Sequence, residues 1–164
     1  MTTTKKTTTR KTRTPKKRLP PNPFIHEVLE LVSEQRTKAK KIEVLQEYRD
    51  DSLTAILIWN FDESVISAVP DGQVPYKENE VPVGTDHTSL RREWKTLYHF
   101  VRGGNDKLNN LRRETMFVQL LEGLHPREAE IVCLVKDKRL TDVYKITQQQ
   151  VEEAYPDIVW GDRS

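Results

Sequence analysis

The chain of 164 residues carries 27 Lys or Arg against 25 Asp or Glu, is 35% hydrophobic and 32% charged, and contains one cysteine. A lone Cys133 excludes an internal disulfide, and with it the oxidised scaffolds typical of small secreted domains. No apolar run approaches the roughly eighteen residues needed to cross a bilayer, and no apolar stretch follows the basic start as in a secretory signal, so a soluble intracellular protein is expected.

The net charge of +2 averages two opposite objects. Residues 1–18 hold Lys5, Lys6, Arg10, Lys11, Arg13, Lys16, Lys17 and Arg18, interleaved with eight Thr and without a single acid. Removing those eight cations from the 27 leaves 19 basic side chains against 25 acidic, so residues 19–164 carry about −6. Like charges repel and no apolar side chain offsets the ordering entropy, so the arm is expected to be disordered when unbound. It lacks the apolar residues of an organelle transit peptide between Met1 and Leu19. Pro15-Lys16-Lys17-Arg18 has the form of a nuclear-import signal, and a merely solubilising extension is a further reading. Leu19-Pro20-Pro21-Asn22-Pro23 then reads as a stiff spacer, with Asn22 and Pro23 suited to cap and begin a helix. The expected organisation is an arm and spacer over 1–22 and a single helical domain over 23–164.

Ile25, Val28, Leu29 and Val32 fall at i, i+3, i+4 and i+7, predicting a helix to about Gln35. A second helix is expected over Lys38–Tyr48, with Ile42, Leu45 and Tyr48 on one side. Leu53–Phe61 is apolar nearly all round, which suits a buried helix or a buried strand; the N-cap residue Ser52 favours helix. From Asp62 to Asp86, three Val-Pro pairs, Pro70-Asp71-Gly72 and Gly84 predict a long connection, used for binding or packed along the helical body. Leu90, Trp94, Leu97, Tyr98 and Val101 predict a helix opened by Thr88 or Ser89 and closed at Gly103-Gly104. Further helices are expected from Lys107 to Glu122, from Pro126 to between Lys136 and Arg139, and from Thr147, with Gln150 completing a capping box, to Tyr155. The fold class is therefore all-α: six to seven short helices, one long Pro-rich connection and a basic arm.

Several runs carry a resemblance: Val81–Thr88 (VPVGTDHT), Phe100–Asn105 (FVRGGN), Arg112–Glu114, Gln119–Pro126 (QLLEGLHP), Lys136–Lys138 and Tyr155–Trp160 (YPDIVW). In these, and from about Phe24 to Trp160, the chain resembles a family of small uncharacterised proteins of T4-like tailed bacteriophages, including those infecting cyanobacteria. The resemblance implies a viral origin and no particular mechanism, and it does not extend to the basic arm.

Chemistry-bearing constellations are few. Cys133 sits among Ile131, Val132, Leu134 and Val135, where a thiol behaves as a small hydrophobe. His26, His87, His99 and His125 include no pair at metal-ligand spacing, so neither a metal nor another cofactor is expected. His125 before Pro126 reads as an N-cap or an inter-helix hydrogen bonder, and His87 as part of a turn. Gly103-Gly104-Asn105 lacks the Lys-Ser/Thr ending of a phosphate loop and reads as a helix C-cap. Glu27, Glu30, Glu128 and Glu130 have no partner at readable spacing and are assigned to solvated faces. Arg91 and Arg92 stand at a helix start, where the dipole disfavours cations by about 0.3–1 kcal/mol each. Either neighbouring acids such as Asp86 or Glu93 compensate, or Arg91, Arg92 and Lys95 join Arg102, Arg112 and Arg113 in a second basic patch. No nucleophile–base pair emerges, so a non-enzymatic role is expected. The arm then binds nucleic acid without sequence preference, in the host cytoplasm and with virion association as a further expectation. The alternative is a protein adaptor contacting host or viral machinery through the helical domain.

Overall fold

The computed structural model describes residues 18–80 and 88–163, and among them the fold is all-α with no strand. Seven α-helices form: α1 Ile25–Glu34, α2 Lys38–Glu47, α3 Asp51–Phe61, α4 Leu90–Glu93, α5 Asn110–Gly123, α6 Pro126–Lys136 and α7 Gln148–Ala154. Two 3-10 helices, Trp94–Phe100 and Leu140–Asp142, follow α4 and α6. Helix α6 lies at the centre, packed on α1, α3, α5 and the 140–142 turn, while α2 bridges α1 to α7.

The core follows the apolar spacing. The α1 stripe Ile25, Val28, Leu29 and Val32 is fully buried. Residues 53–61 are helical, resolving the ambiguity of that run, because both faces are covered: Leu53, Ile56, Leu57 and Trp59 pack into the core. Caps differ from expectation at three starts. The N-cap of α1 is Phe24, because Asn22 turns into the left-handed region at φ 58° and breaks the spacer before the helix begins. At α3 the N-cap is Asp50, whose carboxylate accepts the Ser52 N–H, rather than Ser52 itself. Helix α5 begins at Asn110 and not near Lys107, because Asn109 caps it through the Arg112 N–H. The caps at His125 and Thr147 are as the sequence indicates: His125 Nδ1 accepts from the Arg127 N–H, and Thr147 and Gln150 close a capping box.

The described part of the connection, residues 62–80, contains no helix and is laid along the body. Val65 and Val69 are buried, Ser67 pairs as an antiparallel bridge with Val101, and the Lys136 ammonium donates to the Pro70 and Gly72 carbonyls at 2.8 and 3.0 Å. Residues 65–70 thus pack along the helices, while residues 71–80 are mostly exposed. Val81–His87 lies outside the described residues.

The expected helix from Leu90 departs from α geometry after one turn. Trp94–Phe100 is a 3-10 helix, so its burial repeats every three residues: Leu97 and Phe100 are in the core, Lys95 and Tyr98 are out. The α spacing had placed Tyr98 inside; it is 49% exposed, and Phe100 occupies the core instead, edge-on to Phe117. The closing turn depends on two glycines for different reasons. Gly103 has φ +82°, and a Cβ on Gly104 would land inside the van der Waals shell of the Tyr98 carbonyl.

Glu128 corrects another expectation. It is no solvated residue: it is fully buried, and its two oxygens accept the N–H groups that open α1 (Ile25, 3.0 Å) and α4 (Leu90, 3.1 Å). Glu30 and Glu130 do lie at the surface beside Arg127, and Glu27 closes back on the Phe24 N–H.

Two stability predictions follow from this geometry. Glu128→Gln turns one acceptor into an NH2 group facing an N–H, and urea unfolding should show a loss of about 2–4 kcal/mol; a loss below about 0.5 kcal/mol would mean that the double cap contributes little. Gly104→Ala should lower the urea midpoint more than Gly103→Ala, by about 2–3 against about 1–2 kcal/mol. Equal or reversed losses would contradict the close approach at Tyr98.

Candidate nucleic-acid interface

Of the eight arm cations, Lys5, Lys6, Arg10, Lys11, Arg13, Lys16 and Lys17 lie outside the described residues. Arg18 is exposed at the arm's root. There the Leu19 N–H donates to the Tyr48 hydroxyl (3.1 Å), and Arg18 to Pro23 form one wall of a shallow cleft of about 540 Å³ shared with Glu47, Tyr48, Arg49 and Arg91. The arm therefore leaves the body at the α2–α3 junction.

The second basic patch does not survive as six residues. Arg91 is held inward: it pairs with Asp50 at 3.0 Å and its Nε donates to the Pro23 carbonyl at 2.8 Å. The compensating acid is thus Asp50, a cap residue from a distant helix, and not Glu93, which accepts the Thr88 hydroxyl; Asp86 is outside the described residues. Arg113 is 5% exposed and spends its donors on the carbonyls of His99, Asn105 and Leu108 and on Asn110 Oδ1. It ties the 99–108 turn to α5 and is not free to hold a ligand. Arg92, Lys95, Arg102 and Arg112 remain exposed and form no ion pair with another described residue. Arg102 lines a polar cleft of about 520 Å³ between Ser67–Asp71 and the start of α5, with Asp71 and Asp106 on the same walls. That acidic lining makes the cleft a poor anion site.

The remaining chemistry-bearing groups serve packing. The Cys133 thiol is pushed up to about 11 by burial, and Tyr76 beside it to about 12, so both are protonated at neutral pH. Among the described residues no three His, Cys, Asp or Glu side chains converge as a metal would require, and no helix is long and apolar enough to cross a membrane. His99 Nδ1 meets Asn105 Nδ2 at 3.0 Å, so Asn105 belongs to a turn brace and not to a phosphate loop. His26 clusters with Phe24 and His125, at ring distances of 5.4 and 4.6 Å, with its Nδ1 buried and unbonded.

What the sequence missed is Tyr98. Its exposure is decided by the turn-by-turn geometry of the segment, which the apolar spacing does not encode. Its ring lies 4.0 Å, centre to centre, from that of His99, and it stands in line with Lys95.

An all-α body with a cationic arm rooted at one helix junction defines the protein at the level of class. More specifically, residues 28–142, well over half the chain, match the family of unknown function DUF6433, and the chain belongs to that family. No curated protein and no solved structure matches it.

The histidine stack makes stability depend on pH. Burial, then the charges of His125 and Arg127, lower the His26 value from 6.5 to about 4. Between those values the unfolded chain binds a proton that the folded one refuses, so this contribution is complete above about pH 6.5 and is lost as pH falls toward 4. Chemical unfolding should register a loss of about 3 kcal/mol across that range. His26→Phe, which keeps a stacked ring, should flatten this part of the profile; an unchanged slope would exclude His26 as its source.

Proposed function

We propose that this protein is a non-enzymatic phage accessory protein of the host cytoplasm that binds nucleic acid without sequence preference through its basic arm. The observation that carries the reading is charge segregation: eight cations and no acids in residues 1–18, joined to a body of about −6. Such an arm neutralises phosphates and releases counterions, while the acidic body is repelled from the polyanion and stays available to other partners. The anchoring of Leu19 on Tyr48 supports this, because it sets a fixed point of departure for the arm. The phage assignment rests on the resemblance carried by the sequence runs from Val81 to Trp160.

Binding to a fluorescein-labelled duplex, followed by anisotropy against salt, tests the proposal. Each phosphate neutralised adds about −0.9 to the slope of log affinity on log salt, so engagement of most of the arm predicts a slope of about −5 to −7. Replacing all eight arm cations with Gln in the full-length chain should collapse both affinity and slope while leaving thermal unfolding unchanged. If that variant binds duplex at low salt as tightly as the original, the arm reading fails. The adaptor reading, in which the helical body recruits a host or viral protein, then takes its place.

A further inference from the structure

The 94–100 segment spends a less favourable helix type on one outcome: it puts Lys95 and Tyr98 on one exposed line, three residues after the exposed Arg92 of α4. In a 3-10 helix residues three apart eclipse, and with a rise of about 2 Å per residue Lys95 and Tyr98 are about 6 Å apart along the axis. The opposite line, Leu97 and Phe100, is buried at 6% and 2%, so the segment cannot roll to hide the ring. The Tyr98 ring is also braced from behind. It packs on His99, whose ring nitrogen meets Asn105 at 3.0 Å and whose carbonyl accepts from the buried Arg113 Nε at 2.8 Å. Lys95 extends over the neighbouring Trp94 ring at 5.8 Å, and Arg92 stands exposed one turn earlier.

We propose that Arg92, Lys95 and Tyr98 form a second contact surface, on the folded body, for single-stranded nucleic acid: the ring stacks on a base and the two cations take flanking phosphates. The chemistry selects this partner. A half-exposed aromatic held rigid beside two cations is the pairing that single strands require, since every unpaired base offers a π-face, whereas a closed duplex offers none from its side. The line is also too narrow and too charged for an apolar protein groove, as its only ring lies at the end of two cations. The surface rests on the reading of nucleic acid as the partner, but it is independent of the arm and differs from it in kind. The arm contains no aromatic and cannot distinguish one strand from two.

The test compares full-length chains on fluorescein-labelled oligo-dT and on duplex of the same length. Tyr98→Ala should weaken oligo-dT binding about tenfold, within the range for loss of one base stack, and leave duplex binding unchanged. Tyr98→Phe should bind both as the original does, which separates stacking from a hydroxyl contact. The pair Arg92→Gln and Lys95→Gln should reduce the salt slope on oligo-dT by about 1.4, at about 0.7 per phosphate on a single strand. Three outcomes overturn the surface: oligo-dT affinity unchanged in Tyr98→Ala, equal loss on both ligands, or no oligo-dT binding by the original chain. The first two leave the arm's duplex salt slope intact, whereas duplex binding that survives neutralisation of the arm overturns the arm reading alone. A protein partner at this surface would show as the first outcome.

Discussion

The carboxylate of Glu128 sets where two distant parts of the chain begin to be helical. One oxygen receives the N–H of Ile25 and the other that of Leu90, so α1 and α4 both start on a side chain from the central helix α6. Each helix N-terminus presents unsatisfied N–H groups and a partial positive charge, and a buried anion placed between two of them answers both at once. Burial still pushes the carboxyl above its ordinary range, against the pull of those two donors and of Arg91. Folding thus favours the protonated form, a tendency that the two N–H donors and Arg91 oppose. Arg91 completes the arrangement: it faces Glu128, binds Asp50 at the start of α3 and holds the Pro23 carbonyl ahead of α1. An arginine in the first turn of a helix opposes the dipole of its own helix. Here it serves the starts of two others, which explains its position better than any surface patch.

A related device recurs at several non-helical segments among the described residues. Lys136 has a fully buried side chain and holds the 70–72 turn by two carbonyls. Lys138 sits in the left-handed region at φ 57°, and its ammonium reaches back to the carbonyls of Trp59 and Asp62 at the end of α3. Asp62, 1% exposed, gathers the Ser64 hydroxyl, the Gly161 N–H and Arg163, which fastens the C-terminal segment to α3. Long loops bring backbone carbonyls that a lean core cannot satisfy, and the multiple donors of Lys136, buried, and of Lys138, at the surface, satisfy them in groups. Residues in several of the runs singled out from the sequence are therefore scaffold: Lys136 and Lys138, Arg113, the His125 cap, Tyr155 bonded to the Leu45 carbonyl, and Asp157 paired bidentately with Arg49. Arg92, Lys95 and Tyr98 lie outside those runs.

Helix existence was legible because it depends on local spacing and caps. The α1 stripe, the Thr147 box and the His125-Pro126 start are each written within a few residues. Three things were not legible, for one shared reason. The burial of Glu128, the pairing of Arg91 with Asp50 and the clamp made by Arg113 all depend on which segments meet in space, across 38 to 103 residues in the case of Glu128. The helix type of 94–100 is a subtler failure. Its apolar residues fit the α period through Leu90, Trp94, Leu97 and Val101, and fit a period of three through Trp94, Leu97 and Phe100. What decides between them is the turn beyond, where Gly104 lies against the Tyr98 carbonyl and Arg113 holds that of His99. A tertiary contact thereby chooses which aromatic is core and which is surface.

That choice has a functional side under the proposed reading. An arm of eight cations supplies affinity and fast encounter but no discrimination, and its contribution fades as salt rises because it comes from displaced counterions. A ring that stacks on a base contributes through contact and is far less sensitive to salt. Placing the ring on the rigid body and the charges on the arm separates the two, so capture can be broad while strand preference is set by Tyr98. The body's surplus of acid works in the same direction, since on balance it repels phosphate and leaves binding to the arm and to local cationic positions such as Arg92 and Lys95.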